Sequence, residues 1–224
     1  MLITIFYAGL EVSQRQIMGK DVKISSRPPG CPLSCPPSSM ERVWLPPADS
    51  LSNPAQSQAL ASLLPFLERG VMLACTPSGL FIHRLCQGRV FWSGPGAPHH
   101  DRPNKLDRQE ELVQLFDKKR FSQELTVYQE MGGQPPQFKV TLCFGEEFPD
   151  NEPVTDKLIT VQVELPWARQ QLEEVMSFRE SLAKTWPANR LCEKLPLTSV
   201  ESSNQPIPIW EHPLFASDSL DWEN

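Results

Sequence analysis

Residues 84–95, RLCQGRVFWSGP, set a cysteine between two arginines and raise two kinds of chemistry. Cys86 would be a nucleophile if His83, or the His99–His100 pair, lay within hydrogen-bond reach as a base. The arginines point elsewhere. Arg84, Arg89, Arg102, Lys105 and Arg108 crowd into one short stretch of an acidic chain. Guanidinium forks grip carboxylates and phosphates through paired, charge-assisted hydrogen bonds.

The thiol chemistry lacks its supports. No nucleophile elbow or cysteine-protease signature surrounds Cys86. On a strand over 80–85, His83 shares a face with Phe81 and Leu85, so nothing aims it at Cys86. The thiol is expected to be a packing residue. Cys31 and Cys35 stand at C-x3-C spacing but lack a second ligand pair, so no metal is expected. Glu146, Glu147, Asp150 and Glu152 in GEEFPDNEP (145–153) do not follow an EF-hand pattern and read as a solvated acidic loop. Gly94-Pro95-Gly96 lacks the lysine and Ser/Thr of a phosphate loop. No catalytic residue, cofactor or metal is therefore expected. The cationic set remains as a partner-binding site, set against ordinary surface solubility.

Short strands and a few helices must position these residues. LITIFYAGLEVSQRQI reads as a hairpin turning at Ala8-Gly9. DVKIS and ERVWLP read as strands around a Pro/Cys loop. Residues 53–69 read as a helix with an Asn53 cap and a stripe of Leu60, Leu63, Leu64 and Leu67, in conflict with Pro65. VMLACT, LFIHRL and RVFW suggest a three-strand meander, and EELVQLF stays open between strand and helix. KRFSQELTVYQEM reads as a helix with Phe121, Leu125, Val127 and Tyr128 on one face. In QFKVTLCF and LITVQVEL, Phe138, Val140, Leu142, Phe144 and Ile159, Val161, Val163, Leu165 alternate toward a core. A helix follows from Pro166 to about Trp186, with Ala168, Leu172, Val175, Met176 and Leu182 as its apolar residues. Many strands without a βαβα rhythm favour an antiparallel sandwich or mixed sheet with helices at its ends.

The 224 residues carry a formal net charge of -6, which gives no general attraction for a nucleic-acid backbone. The first residues lack a basic n-region followed by a long apolar h-region, so no signal peptide is expected, and no apolar run has the length of a membrane span. A nuclear and cytoplasmic location with reduced thiols is expected. Residues 1–186 read as one domain and 187–224 as a Pro/Ser-rich tail. For the tail two readings stay open. It is disordered, or it docks through Ile207, Ile209, Trp210, Leu214 and Phe215, with Ser217 and Ser219 as candidate phosphorylation sites.

LERGVML, RLCQGRVFWSG, RPNKLDR, LCFGEEFPD and KLITVQVE, in that order, resemble the C-terminal association domain of the interferon regulatory factors, and most closely the lymphoid and myeloid branch. The resemblance spans about residues 2–185. It implies an α+β fold, an antiparallel β-sandwich of the Smad MH2/forkhead-associated type flanked by helices. It implies a non-enzymatic role in immune gene regulation: homo- or hetero-dimerisation, and association with other interferon regulatory factors, Ets-type transcription factors and coactivators. At Arg84, and more weakly at Arg89, it implies contact with an acidic or phosphorylated partner segment. The family's tryptophan-repeat DNA-binding domain is not recognisable here, so DNA contact is expected only through partners or a missing N-terminal domain. The chain is expected to be a fragment, a short isoform or an incomplete gene model. A phosphopeptide-binding module outside transcription is the alternative reading.

Overall fold

Ala8 and Gly9 both take positive φ, 47° and 79°, and this two-residue turn matches the twist of the strands on either side. It joins β1 (Leu2–Tyr7) to β2 (Leu10–Gln16), the expected hairpin. The computed structural model describes residues 1–28, 40–108 and 112–185. Its further elements are β3 (Asp21–Ser25), β4 (Glu41–Trp44), α1 (Pro54–Leu63), β5 (Val71–Thr76), β6 (Gly79–Arg84), β7 (Val90–Ser93), β8 (Val113–Asp117), α2 (Lys118–Met131), β9 (Lys139–Phe144), β10 (Ile159–Glu164) and α3 (Pro166–Thr185).

The strands form two five-stranded sheets, ordered β2-β1-β10-β9-β7 and β4-β3-β5-β6-β8. The pairs are antiparallel except β3 with β4. One face of each sheet supplies the core: Ile3, Ile5, Val161, Val163, Val140 and Leu142 from the first, Val22, Ile24, Leu73, Leu80 and Ile82 from the second. This is the α+β sandwich with helices that the sequence implied. The meander is corrected. β5 and β6 form a hairpin, but β7 crosses to the first sheet and pairs with β9. EELVQLF resolves as a strand over its described part, β8, paired with β6.

The helices obey their ends. Asn53 accepts from the amides of Ala55 and Gln56, and Pro54 fills the first turn. Pro65 then has no N–H to continue α1, and the chain tightens into a 3-10 turn over Leu64–Leu67. Gly70 follows at φ 61°, where a Cβ would stand 1.9 Å from the Ile24 carbonyl oxygen. Asp117 caps α2 by accepting from Lys119 and Arg120. Phe121 and Leu125 of α2 are buried, but Val127 is 51% exposed, so it does not share their face. Met176 and Leu182 of α3 are likewise more exposed than expected, while Ala168 and Leu172 are buried. Phe116, Phe121 and Trp167 meet with ring centroids 5.3–5.8 Å apart and fix β8, α2 and α3 together. Among the described residues, no helix is long and apolar enough to cross a membrane.

Candidate protein interface

β6 alternates inward and outward, and its parity decides what Arg84 does. Leu80, Ile82 and Arg84 are buried, while Phe81 and His83 lie on the outer face. Arg84 is 6% exposed. Its Nη1 donates to the Leu106 carbonyl at 2.7 Å and its Nη2 to the Gln87 carbonyl at 3.0 Å. Its Nε is also buried and makes no hydrogen bond within the described residues. The expected direct grip of Arg84 on a partner thus meets an interior guanidinium whose two terminal nitrogens are held by backbone.

Cys86 lies beside it, fully buried, with its thiol donating to the Gly88 carbonyl at 3.5 Å. Burial raises the thiol pKa; Arg84 and Arg108 pull the other way without overcoming it. This is a packed thiol, as expected, and not an activated one.

The other cations are exposed. After β7, the chain at Asn104–Leu106 returns alongside it: Trp92 donates to the Asn104 carbonyl and Leu106 to the Val90 carbonyl, each at 2.9 Å. Phe91 and Lys105 are therefore a directly opposed antiparallel pair, of the closer non-hydrogen-bonded kind. Their side chains leave the outer face of the first sheet together. Arg89 places its guanidinium carbon 5.9 Å from the centre of the Phe91 ring and donates through Nη2 to the Gly145 carbonyl at 3.0 Å. The result is a ridge of two exposed cations, Arg89 and Lys105, beside a Phe91 ring that is itself only 4% exposed. Arg102 and Arg108 are exposed on the same returning segment, interleaved with Asp101 and Asp107, and Arg108 lies toward Cys86. A cleft of about 390 Å³ opens beside Lys105, lined by Trp92, His99, Pro103, Asn104 and Gln114 among others.

The acidic loop is the exposed connection expected between β9 and β10, with Glu147, Asp150 and Glu152 on its surface, and it also anchors this ridge. Phe148 is buried against Phe91 and Cys143 on the outer face of the sheet. Asp150 and Glu152 close on Lys157, which donates to them at 2.5 and 2.9 Å, and Glu146 accepts from the Leu158 amide. Burial works against the Lys157 charge, but the two carboxylates outweigh it and hold the ammonium above its ordinary range. Cys143, beneath the loop, has its thiol pushed up to about 12 by burial.

A second exposed surface was not singled out from the sequence. On the outer face of the second sheet, the register aligns Arg42, Lys23, Met72 and His83 in one row and Asp21, Ala74, Phe81 and Gln114 in the next. Burial and the neighbouring Arg42 and Arg69 lower the Lys23 pKa. Its signal in the sequence is the parity of VMLACT and LFIHRL, which sends Met72 and Phe81 outward. Among the described residues no group of His, Cys, Asp and Glu could hold a metal. Cys31, Cys35, Ser217 and Ser219 lie outside the described residues.

Comparison with known proteins identifies the family. The family model for interferon-regulatory factor 3 matches residues 1–176. The chain is 44% identical over 185 residues to interferon regulatory factor 8 of Gallus gallus, covering 78% of this chain and 41% of that protein. It is 38% identical over 175 residues to interferon regulatory factor 5 of Homo sapiens, covering 77% and 32%. It thus spans well under half the length of these relatives. A crystal structure of the interferon regulatory factor 9 IAD domain superposes with a TM-score of 0.61 at 34% identity, covering 81% of this chain and 89% of that one. A crystal structure of STAT2 in complex with IRF9 gives 0.60 at 33%, covering 77% and 94%. The fold, the family-model match and these relatives lead to one conclusion: the chain belongs to the interferon regulatory factors, which are transcription regulators and not enzymes.

Proposed function

We propose that the chain is an association module of a transcription regulator, and that the Arg89–Phe91–Lys105 ridge takes an acidic or phosphorylated segment of a partner. One observation carries this reading. Two exposed cations, Arg89 and Lys105, stand beside one buried aromatic ring that fixes their place on the sheet, next to a cleft that Lys105 lines. Charge-assisted hydrogen bonds to carboxylate or phosphate oxygens are the interactions such a pair makes best. Partners of this kind include other interferon regulatory factors, Ets-type transcription factors and coactivators. They bring the chain to DNA indirectly, in the nucleus, with cytoplasmic residence before association. Homo- or hetero-dimerisation through the same module belongs to this reading.

The outer face of the second sheet is a second candidate association surface, because Met72 and Phe81 stand only partly covered on it. Titration of the chain with a synthetic acidic peptide bearing one phosphoserine tests the ridge. Arg89→Glu/Lys105→Glu should lose about 2 kcal/mol or more of binding, with an unchanged melt. Phe81→Asp should leave that peptide untouched and weaken only partners that use the second sheet. Unchanged peptide affinity in the double variant would remove the ridge from the site.

A further inference from the structure

Lys105 is presented by a segment pinned from inside on both of its sides. On one side is Asn104, 4% exposed. Its Nδ2 donates to the carbonyls of Trp92 at 3.2 Å and His99 at 2.6 Å, and its Oδ1 accepts from the His99 amide at 3.1 Å. Its own amide donates to the Phe148 carbonyl at 3.0 Å, so the acidic loop and the returning segment are tied at this residue. On the other side is Leu106, whose amide bonds Val90 and whose carbonyl receives the buried Arg84 guanidinium.

We propose that Arg84 and Asn104 are positioning residues for Lys105: they act on a partner through the ridge without touching it. The inference rests on the association reading of that ridge. Its physical basis is preorganisation. A lysine on a free loop loses conformational freedom when it binds an anion, whereas one whose backbone is already fixed loses only side-chain freedom. A planar fork reaches the Leu106 and Gln87 carbonyls together; an ammonium is a point charge that cannot span both in the same way. Asn104 likewise needs both its amide donors and its carbonyl oxygen, so neither Asp nor Ala replaces it.

The test uses the full chain and the phosphoserine peptide at low and high salt, with hydrogen exchange read at Trp92 and Leu106. Lys105→Ala should weaken binding about tenfold and flatten its salt dependence, because an exposed charge has been removed. Arg84→Met and Arg84→Lys should each weaken binding and raise exchange at Leu106, yet keep the salt dependence of the wild type. Asn104→Ala, which adds no charge, should do the same, with exchange rising at Trp92. If Arg84→Lys binds like the wild type, or if Arg84→Met flattens the salt dependence as Lys105→Ala does, Arg84 meets the partner by charge and the positioning role is wrong. If Lys105→Ala binds normally, the ridge reading fails. The exchange arm then still decides, because unchanged protection of Leu106 in Arg84→Lys overturns the positioning of Lys105 on its own, including where Arg84→Met does not fold.

Discussion

Lys157 donates to Asp150 at 2.5 Å from a site where its own side chain is 2% exposed. This clamp closes the loop that seats Phe148 under Phe91 and offers the Phe148 carbonyl to Asn104. The hydrogen bond from Lys157 holds the Asp150 carboxyl below its ordinary range. Its contribution to stability is then complete above about pH 4, the unfolded value, and is lost as pH falls through the lower folded value. Lys157 is raised, so its contribution is complete below about pH 10 and is lost only as pH rises through its folded value. The clamp is therefore intact across neutral pH and opens in acid. Thermal melts from pH 7 to pH 3 should show Asp150→Asn less stable than wild type at pH 7 but falling less steeply on acidification. Parallel curves would mean that the pair does not titrate with unfolding.

Arg179 of α3 closes the C-terminal end of α2, donating to the carbonyls of Tyr128 and Gln129 and stacking 4.9 Å from the Tyr128 ring centre. Arg179→Ala should cost about 1–2 kcal/mol in urea unfolding, through the lost carbonyl bonds and the cation–ring contact. Arg179→Lys should recover only part of that. A loss confined to a few tenths would show that solvent satisfies those carbonyls as well.

Thiol mapping separates a packed cysteine from a reactive one. Cys75 is half-buried, whereas Cys86 and Cys143 are buried with thiols raised by burial. Under native conditions a thiol-specific reagent read by peptide mass mapping should label Cys75 ahead of both, and label Cys86 and Cys143 only after denaturant is added. Rapid native labelling of Cys86 would reopen the thiol chemistry.

The Phe116, Phe121 and Trp167 cluster should be the most sensitive part of the helical end. Phe116→Ala removes a fully buried ring and two aromatic contacts, and should cost about 3–5 kcal/mol. A cost near 1 kcal/mol would mean that the neighbouring elements collapse into the space.

Local alternation and capping were legible in the sequence; non-local pairing was not. Val140, Leu142, Val161 and Val163 alternate toward the core as their period requires, but the cover that Phe148 places on Cys143 and Phe91 across the sheet has no signal in that period. β7 was misplaced because only its partner β9, some fifty residues later in the chain, shows that it crosses to the first sheet. The inward course of Arg84 was within reach, since it shares parity with Leu80 and Ile82. A charged side chain at that parity is ordinarily expected at the surface. Asn104 carried no signal: it sits in a Pro-rich loop, and its five backbone hydrogen-bond partners come from three separate stretches of chain. The same holds for Lys157, whose clamp depends on the fold of the whole acidic loop.

The central claim is that exposed charge on the Arg89–Phe91–Lys105 ridge recognises a partner's negative charge, and a charge-swap titration tests it most directly. The wild type should bind the phosphoserine peptide and not a control in which the phosphoserine and its acidic neighbours are lysines. Arg89→Glu/Lys105→Glu should reverse that preference, with both proteins melting alike. Loss of the first interaction with gain of the second is the predicted result; a double variant that still prefers the phosphoserine peptide would contradict it.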